Sequence, residues 1–235
     1  MRPARGWRVL LGMAIVWAAL VGRGESPVAD ARRGELIAAA LASQESLWRE
    51  IGHKDPGPRN SCRELFTAAL ALCEARRHPE RLDRLFELGE RMQDCDPASP
   101  TFGNFRWYWR DAGVTDANAV EFCSFDMHLI WRLHRDFLPA GAKDRLDSLI
   151  GRAVDGCLRH RVPASYTNIA ILNAANLVTL GEVRGRPDAA EEGYRRLDGL
   201  AADVWQFGLH EFCSPPYYAI DVQGLAVLEL SLIHI

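Results

Sequence analysis

The stretch AVEFCSFDMHLIWRLHRDF (residues 119–137) carries Val120, Phe122, Cys123, Phe125, Met127, Leu129, Ile130, Trp131 and Leu133. At 3.6 residues per turn these point nearly all round a helix, and a helix that is apolar on every side is buried. NIAILNAANLVTL (168–180) has the same character, with Ile169, Ile171, Leu172, Ala174, Ala175, Leu177 and Val178. The segments that follow each are striped instead. One sets Leu146, Leu149, Ile150, Val154, Cys157 and Leu158 against Lys143, Arg145, Asp147 and Arg152. The other sets Ala190, Tyr194, Leu197, Ala201, Val204 and Trp205 against Glu191, Glu192, Arg195 and Arg196.

Working outward, the periodicity predicts helices over 33–51, 63–76, 79–92, 119–136, 142–159, 167–182, 188–207 and 219–230, with no period-2 strand. A chain that alternates buried and striped helices through short connections makes helical hairpins. Their first helices form an inner layer and their second helices an outer one. The inner helices start near 63, 119, 167 and 219, about fifty residues apart, longer than tetratricopeptide or HEAT units. The expected fold is all-α, an incomplete α/α toroid over residues 32–229. The fourth inner helix has no outer partner after it. The run LSLIHI (230–235) resembles a translated adapter and is expected to be a non-native tail.

The amino terminus reads differently. Arg2, Arg5 and Arg8 precede an uncharged run from Val9 to Gly22, too short to span a bilayer. Residues 1–24 read as a secretory signal peptide, with cleavage between 24 and 31, and the expected location is secreted or periplasmic. The chain of 235 residues is 48% hydrophobic and 25% charged, with a formal net charge of −3. Removal of residues 1–24 takes away four arginines and no acid and leaves −7; cleavage after Ala31 leaves −5. Such a chain has neither the basic face of a nucleic-acid binder nor an electrostatic reason to sit on anionic lipid. The six cysteines include no close pair suited to redox or zinc chemistry. Cys73, Cys123 and Cys157 read as small buried hydrophobes, while Cys62 and Cys95, outside helix centres, could pair. The histidines show no metal-ligand spacing, so neither metal nor cofactor is expected.

In a ring of parallel inner helices, the loops entering them gather at one end. Here these are 93–118, 160–167 and 208–218. The first holds Trp107, Tyr108, Trp109 and Arg110, suited to stacking on sugar rings and to binding carboxylate or sulfate, and is followed by Glu121 at the next helix start. The second ends in Tyr166, Thr167 and Asn168, with Thr167 or Asn168 expected to cap the helix. The third and the helix after it hold His210, Glu211, Tyr217, Tyr218 and Asp221, the side-chain types used for proton transfer. The expected catalytic residues are those five. The expected substrate-binding residues are Trp107, Tyr108, Trp109, Arg110, Glu121, Tyr166 and Asn168.

The runs YTNI (166–169), NAANLVTLGE (173–182) and GLHEFCSPPYY (208–218) resemble secreted bacterial α/α-toroid proteins, the heparinase II/III-like polysaccharide lyases and six-hairpin glycosidases. The resemblance spans roughly 95–225 and implies an exported carbohydrate-active enzyme, a lyase or a glycoside hydrolase, with its site at the open end of the toroid. Its partner would be a poly- or oligosaccharide, anionic ones included. Such lyases use a Tyr or His base and an amide or His that neutralises a uronate carboxylate. Tyr217, Tyr218, His210 and Asn168 are of those types, and no family catalytic motif carries over residue by residue. A non-catalytic helical scaffold or glycan-binding protein is the alternative.

Overall fold

The computed structural model describes residues 27–210 and 214–231. The signal segment 1–24, Glu211, Cys213 and residues 232–235 of the expected tail lie outside the described residues. The described helices are α1 (Pro27–Ile51), α2 (Cys62–Ala75), a 3₁₀ turn (Pro79–Arg81) running into α3 (Leu82–Met92), α4 (Ala119–His134), α5 (Ala140–Arg159), α6 (Thr167–Val183), α7 (Pro187–Phe207) and α8 (Pro215–Leu228). No β-strand occurs among the described residues, so the fold is all-helical. Isolated bridges Ser61–Tyr108 and Gln93–Phe105 are its only sheet-like pairings there.

Local chemistry sets the helix ends. Ser61 and Glu64 form a capping box at α2: Glu64 N donates to Ser61 Oγ (3.2 Å) and Ser61 N donates to Glu64 Oε2 (2.9 Å). Proline opens α7 and α8, where the missing N–H has no intrahelical partner to lose. For that reason α8 begins at Pro215, four residues before the apolar pattern starts. The capping expectation at α6 is not met. The cap residue is Tyr166, no side chain caps the helix, and Asn168 Oδ1 accepts from the neighbouring Ile169 N (2.9 Å).

The helices form two rows. In the inner row α2 packs on α4, α4 on α6 and α6 on α8. In the outer row α3 packs on α5 and α5 on α7, and the inner helices α2, α4 and α6 each also pack on the outer helix that follows. Helix α1 covers α2. The two rows share a core in which Phe66 meets Phe105 edge-on at 5.4 Å and stacks with Phe86 at 6.4 Å. Every residue of α6 from Thr167 to Gly181 is buried, as its all-round apolar pattern requires.

Helices α6 and α7 approach closely because glycine permits it. A Cβ on Gly193 would lie 2.7 Å from Val178 N and 2.8 Å from Val178 Cγ2; one on Gly181 would lie 2.7 Å from Ala190 N. Alanine at Gly193 gains about 1 kcal/mol in helix propensity. Overpacking against backbone that cannot yield costs about 1–3 kcal/mol. Gly193→Ala should therefore lower the melting temperature, and Gly193→Val should lower it further. A melting temperature unchanged or raised in Gly193→Ala would mean that the two helices are not in this contact.

Candidate functional site

The loop residues expected to bind sugar are fastened largely by their own neighbours. Trp107 is half-buried and packs edge-on to Phe122 of α4, with ring centres 5.7 Å apart. Its carbonyl accepts from Cys62 N (3.0 Å), which ties the loop to the start of α2. Trp109 lies beside Arg91 (4.7 Å) and Arg106 (5.5 Å), and Tyr108 lies beside Arg110 (5.5 Å). Arg106 also donates to the Asp111 carbonyl (2.9 Å) and the Arg91 carbonyl (2.6 Å). Trp107 and Trp109 thus pack against the core, while Arg110 is exposed.

The loop ends before α4 and α6 are joined: Asn118 Nδ2 donates to the exposed Tyr166 hydroxyl (3.0 Å). Asn168 is buried. After α7, His210 Nε2 pairs with Asp203 Oδ2 at 2.9 Å and its ring lies 6.3 Å from that of Phe207. On α8, Tyr217 is exposed, Tyr218 half-buried and Asp221 buried. No hydrogen bond or ring contact links residues 105–111 to His210 or Tyr217 among the described residues.

Glu121 is placed inside the double row. It is fully buried, and its Oε1 accepts from Asn173 Nδ2 (2.8 Å) and from His160 Nδ1 (3.0 Å). Asn176 Nδ2 donates to the Glu121 carbonyl (2.8 Å). Arg196 of α7 donates to Asn173 Oδ1 and to the carbonyls of Cys157 (3.2 Å), Leu158 (3.1 Å) and His160 (3.0 Å). One polar network therefore spans α4, α5, α6 and α7; it pairs both groups of the Asn173 amide and the Asn176 Nδ2, while Asn176 Oδ1 is buried without a hydrogen-bond partner. Burial works against a charged His160, but the hydrogen bond and charge of Glu121 outweigh it and hold the imidazole pKa above its ordinary value.

A second polar set lies on the other side of α4. A small, partly enclosed cleft of about 10 Å³ is lined by Arg63, Thr67, Phe122, Phe125, Asp126, Leu172 and Gln223. These residues come from α2, α4, α6 and α8, all four inner helices. Asp126 is only 5% exposed, and Thr67 Oγ1 donates to its Oδ2 (2.7 Å). Burial raises the Asp126 carboxyl to about 6, against the Thr67 hydrogen bond and the charge of Arg63. The Arg63 guanidinium lies 4.3 Å from the centre of the Phe122 ring, and burial pulls its pKa down. A carboxyl that exchanges its proton near neutrality, beside a desolvated cation, is an arrangement able to do acid–base work on an anionic ligand.

Sequence reasoning missed Arg63, Thr67, Asp126 and Gln223. A signal was present: Asp126 interrupts a helix whose flanks, Phe125 and Met127, are apolar. An acid inside an all-round apolar helix needs a partner or a purpose. Among the described residues, no group of three or more His, Cys, Asp or Glu side chains is placed to hold a metal ion, and no helix is long and apolar enough to cross a membrane. No family model, curated protein or solved structure matches the chain.

Two pH dependences follow from these environments. Asp126 has its folded pKa raised above its unfolded value, so its ionisation opposes folding above pH 6, and the penalty is relieved as pH falls from about 6 towards 4. Raising the carboxyl from its ordinary range to about 6 corresponds to about 3 kcal/mol. Asp126→Asn should therefore stabilise the protein at pH 7 and lose that advantage near pH 4. Equal differences in melting temperature at both pH values would contradict the burial of this carboxyl. His160 has the opposite linkage. Its pairing with Glu121 contributes fully below about pH 6.5 and is lost as pH rises through the raised folded value. The loss of melting temperature in His160→Gln should be larger at about pH 5.5 than at about pH 8.5, measured by circular dichroism.

Proposed function

We propose that the protein is an exported carbohydrate-active enzyme, a lyase or glycoside hydrolase, that acts on an anionic polysaccharide in the cleft of the inner row. The observation that carries this reading is the convergence of Arg63, Thr67, Asp126 and Gln223, from three of the four successive inner helices, on one cleft. Burying an acid beside a half-buried arginine opposes folding, and an acid held near neutrality is what proton transfer requires. Arg63 would hold a sugar carboxylate in fork geometry, and Asp126 would exchange a proton with the sugar. Phe122, backed by Trp107, offers a ring for the apolar face of a sugar.

For β-elimination, a base removes the proton next to the uronate carboxylate and an acid protonates the departing glycosidic oxygen. For hydrolysis, two carboxyl groups divide the roles of acid and base. Asp126 serves as one of the pair in either case. The second comes from the loop before α8 or from its first turns: His210, Glu211, Tyr217, Tyr218 or Asp221. Tyr108, Trp109, Arg110 and Tyr166 would extend the sugar-binding surface, with buried Asn168 and Glu121 holding the helix starts beneath it. In this reading the two rows belong to a toroid that surrounds the cleft, and the segment 1–24 directs export.

The test is a panel of uronate polysaccharides with neutral glucans as controls. Unsaturated product, read by ultraviolet absorbance, reports elimination; new reducing ends without it report hydrolysis. Asp126→Asn should lower turnover about 10²–10⁴-fold while melting no lower than the parent protein at pH 7. Full activity in Asp126→Asn would remove Asp126 from the chemistry. Binding of the polysaccharides without turnover would replace the enzyme with a glycan-binding protein.

A further inference from the structure

Cys62 is the first residue of α2 and Cys123 lies in the second turn of α4; both are fully buried free thiols in the core between the two helices. The register of the pair follows from three contacts. Arg63 lies over Phe122, and Thr67 donates to Asp126 at 2.7 Å, so α2 and α4 run side by side with residue n of α2 opposite residue n+59 of α4. Trp107 closes the same end, since its carbonyl accepts from Cys62 N while its ring packs on Phe122. This register sets Cys62 level with the turn that holds Cys123, and both side chains are fully buried in the same core cluster.

We infer that Cys62 and Cys123 are joined by a disulfide that forms while the chain folds. The other cysteines have different surroundings. Cys157 bonds with Ser124 Oγ at 3.6 Å, exposed Cys95 donates to the Gln93 carbonyl at 3.4 Å, and Cys73 lies towards the far end of α2. Cys62 and Cys95, whose position outside helix centres left a pairing open, differ in surroundings, Cys62 being fully buried and Cys95 exposed. The timing follows from burial. Burial pushes the Cys123 thiol well up, the neighbouring Cys62 adds to this, and thiolate is the reacting form. Oxidation therefore precedes closure of the core.

The chemistry is thiol–disulfide exchange with a small-molecule disulfide such as oxidised glutathione. The Cys123 thiolate attacks one glutathione sulfur and expels the first glutathione thiolate. The Cys62 thiolate then attacks Cys123 Sγ in the mixed disulfide and expels the second. Two cysteine thiols and one oxidised glutathione become one protein disulfide and two reduced glutathiones. The cross-link closes a loop of about sixty residues and fixes α2 against α4 where Arg63, Phe122 and Asp126 line the cleft.

The experiment is refolding of the whole chain in a reduced and oxidised glutathione buffer. Free thiols are then alkylated, and the protein is digested without reduction for mass spectrometry. The expected result is one peptide pair linked through Cys62 and Cys123. Alkylation of both residues, or linkage of either to Cys95 or Cys213, overturns the inference. Melting adds a second measurement. Reductant should lower the melting temperature of the oxidised protein by roughly 5–15 °C and leave the double variant Cys62→Ala, Cys123→Ala unmoved. An equal fall in both proteins also overturns the inference.

Discussion

A helix that is apolar on every side has to be covered on every side. Helix α6 imposes that constraint on the whole molecule. Its buried run from Thr167 to Gly181 is covered by α4 on one flank, α8 on the other, and α5 and α7 behind. The remaining direction faces the cleft through Leu172. The closeness of α7 depends on Gly181 and Gly193, where any side chain would strike backbone. The two-row layout is thus what remains once α6 is buried. The hairpin order follows, because each outer helix has a single apolar stripe to spend against the inner row.

Burial of that completeness turns every polar atom in the inner row into an energetic question. Most are answered by neighbours. His134 pairs with Glu74 at 2.7 Å, with Arg33 on the other carboxylate oxygen. His128 is buried, and desolvation, aided by Arg132, drives its pKa down to about 3, so it stays neutral at ordinary pH. Asn173 and Asn176 both donate to Glu121. The contacts of His134, Asn173 and Asn176 knit helices together, whereas His128 Nδ1 is buried without a hydrogen-bond partner.

The helices were legible in the sequence because the hydrophobic pattern is a local property. The apolar runs at 119–137 and 168–180 and the striped runs after them correspond to α4, α6, α5 and α7 to within a few residues. Helix ends were less legible. Tyr166 caps α6 although Thr167 and Asn168 are the better capping types, because Asn168 is buried and its side chain turns back to its own neighbour. The polar cleft was the least legible feature. Arg63, Thr67, Asp126 and Gln223 are far apart in sequence, and only the parallel packing of inner helices assembles them. Composition drew attention instead to Trp107, Tyr108 and Trp109, which are conspicuous in a polar loop. Each lies beside an aromatic ring or an arginine of its surroundings.

Helix α4 shows how the same residue type takes two roles. Glu121 and Asp126 are five positions apart, about 140° around the helix. That angle sends them to opposite sides of the inner row. Glu121 meets two side-chain donors on one oxygen, from α6 and from the end of α5, and becomes the centre of a structural network. Asp126 meets one hydroxyl and a nearby cation at the edge of a cleft, and its proton is held loosely near pH 6. Glu121 is fully enclosed, so even its Oε2, which meets no hydrogen-bond donor, is out of a ligand's reach. Asp126 lines the cleft, and its near-neutral carboxyl still has a proton in play. Enclosure and direction around α4, rather than residue type, separate the acid that holds the fold from the acid available for chemistry.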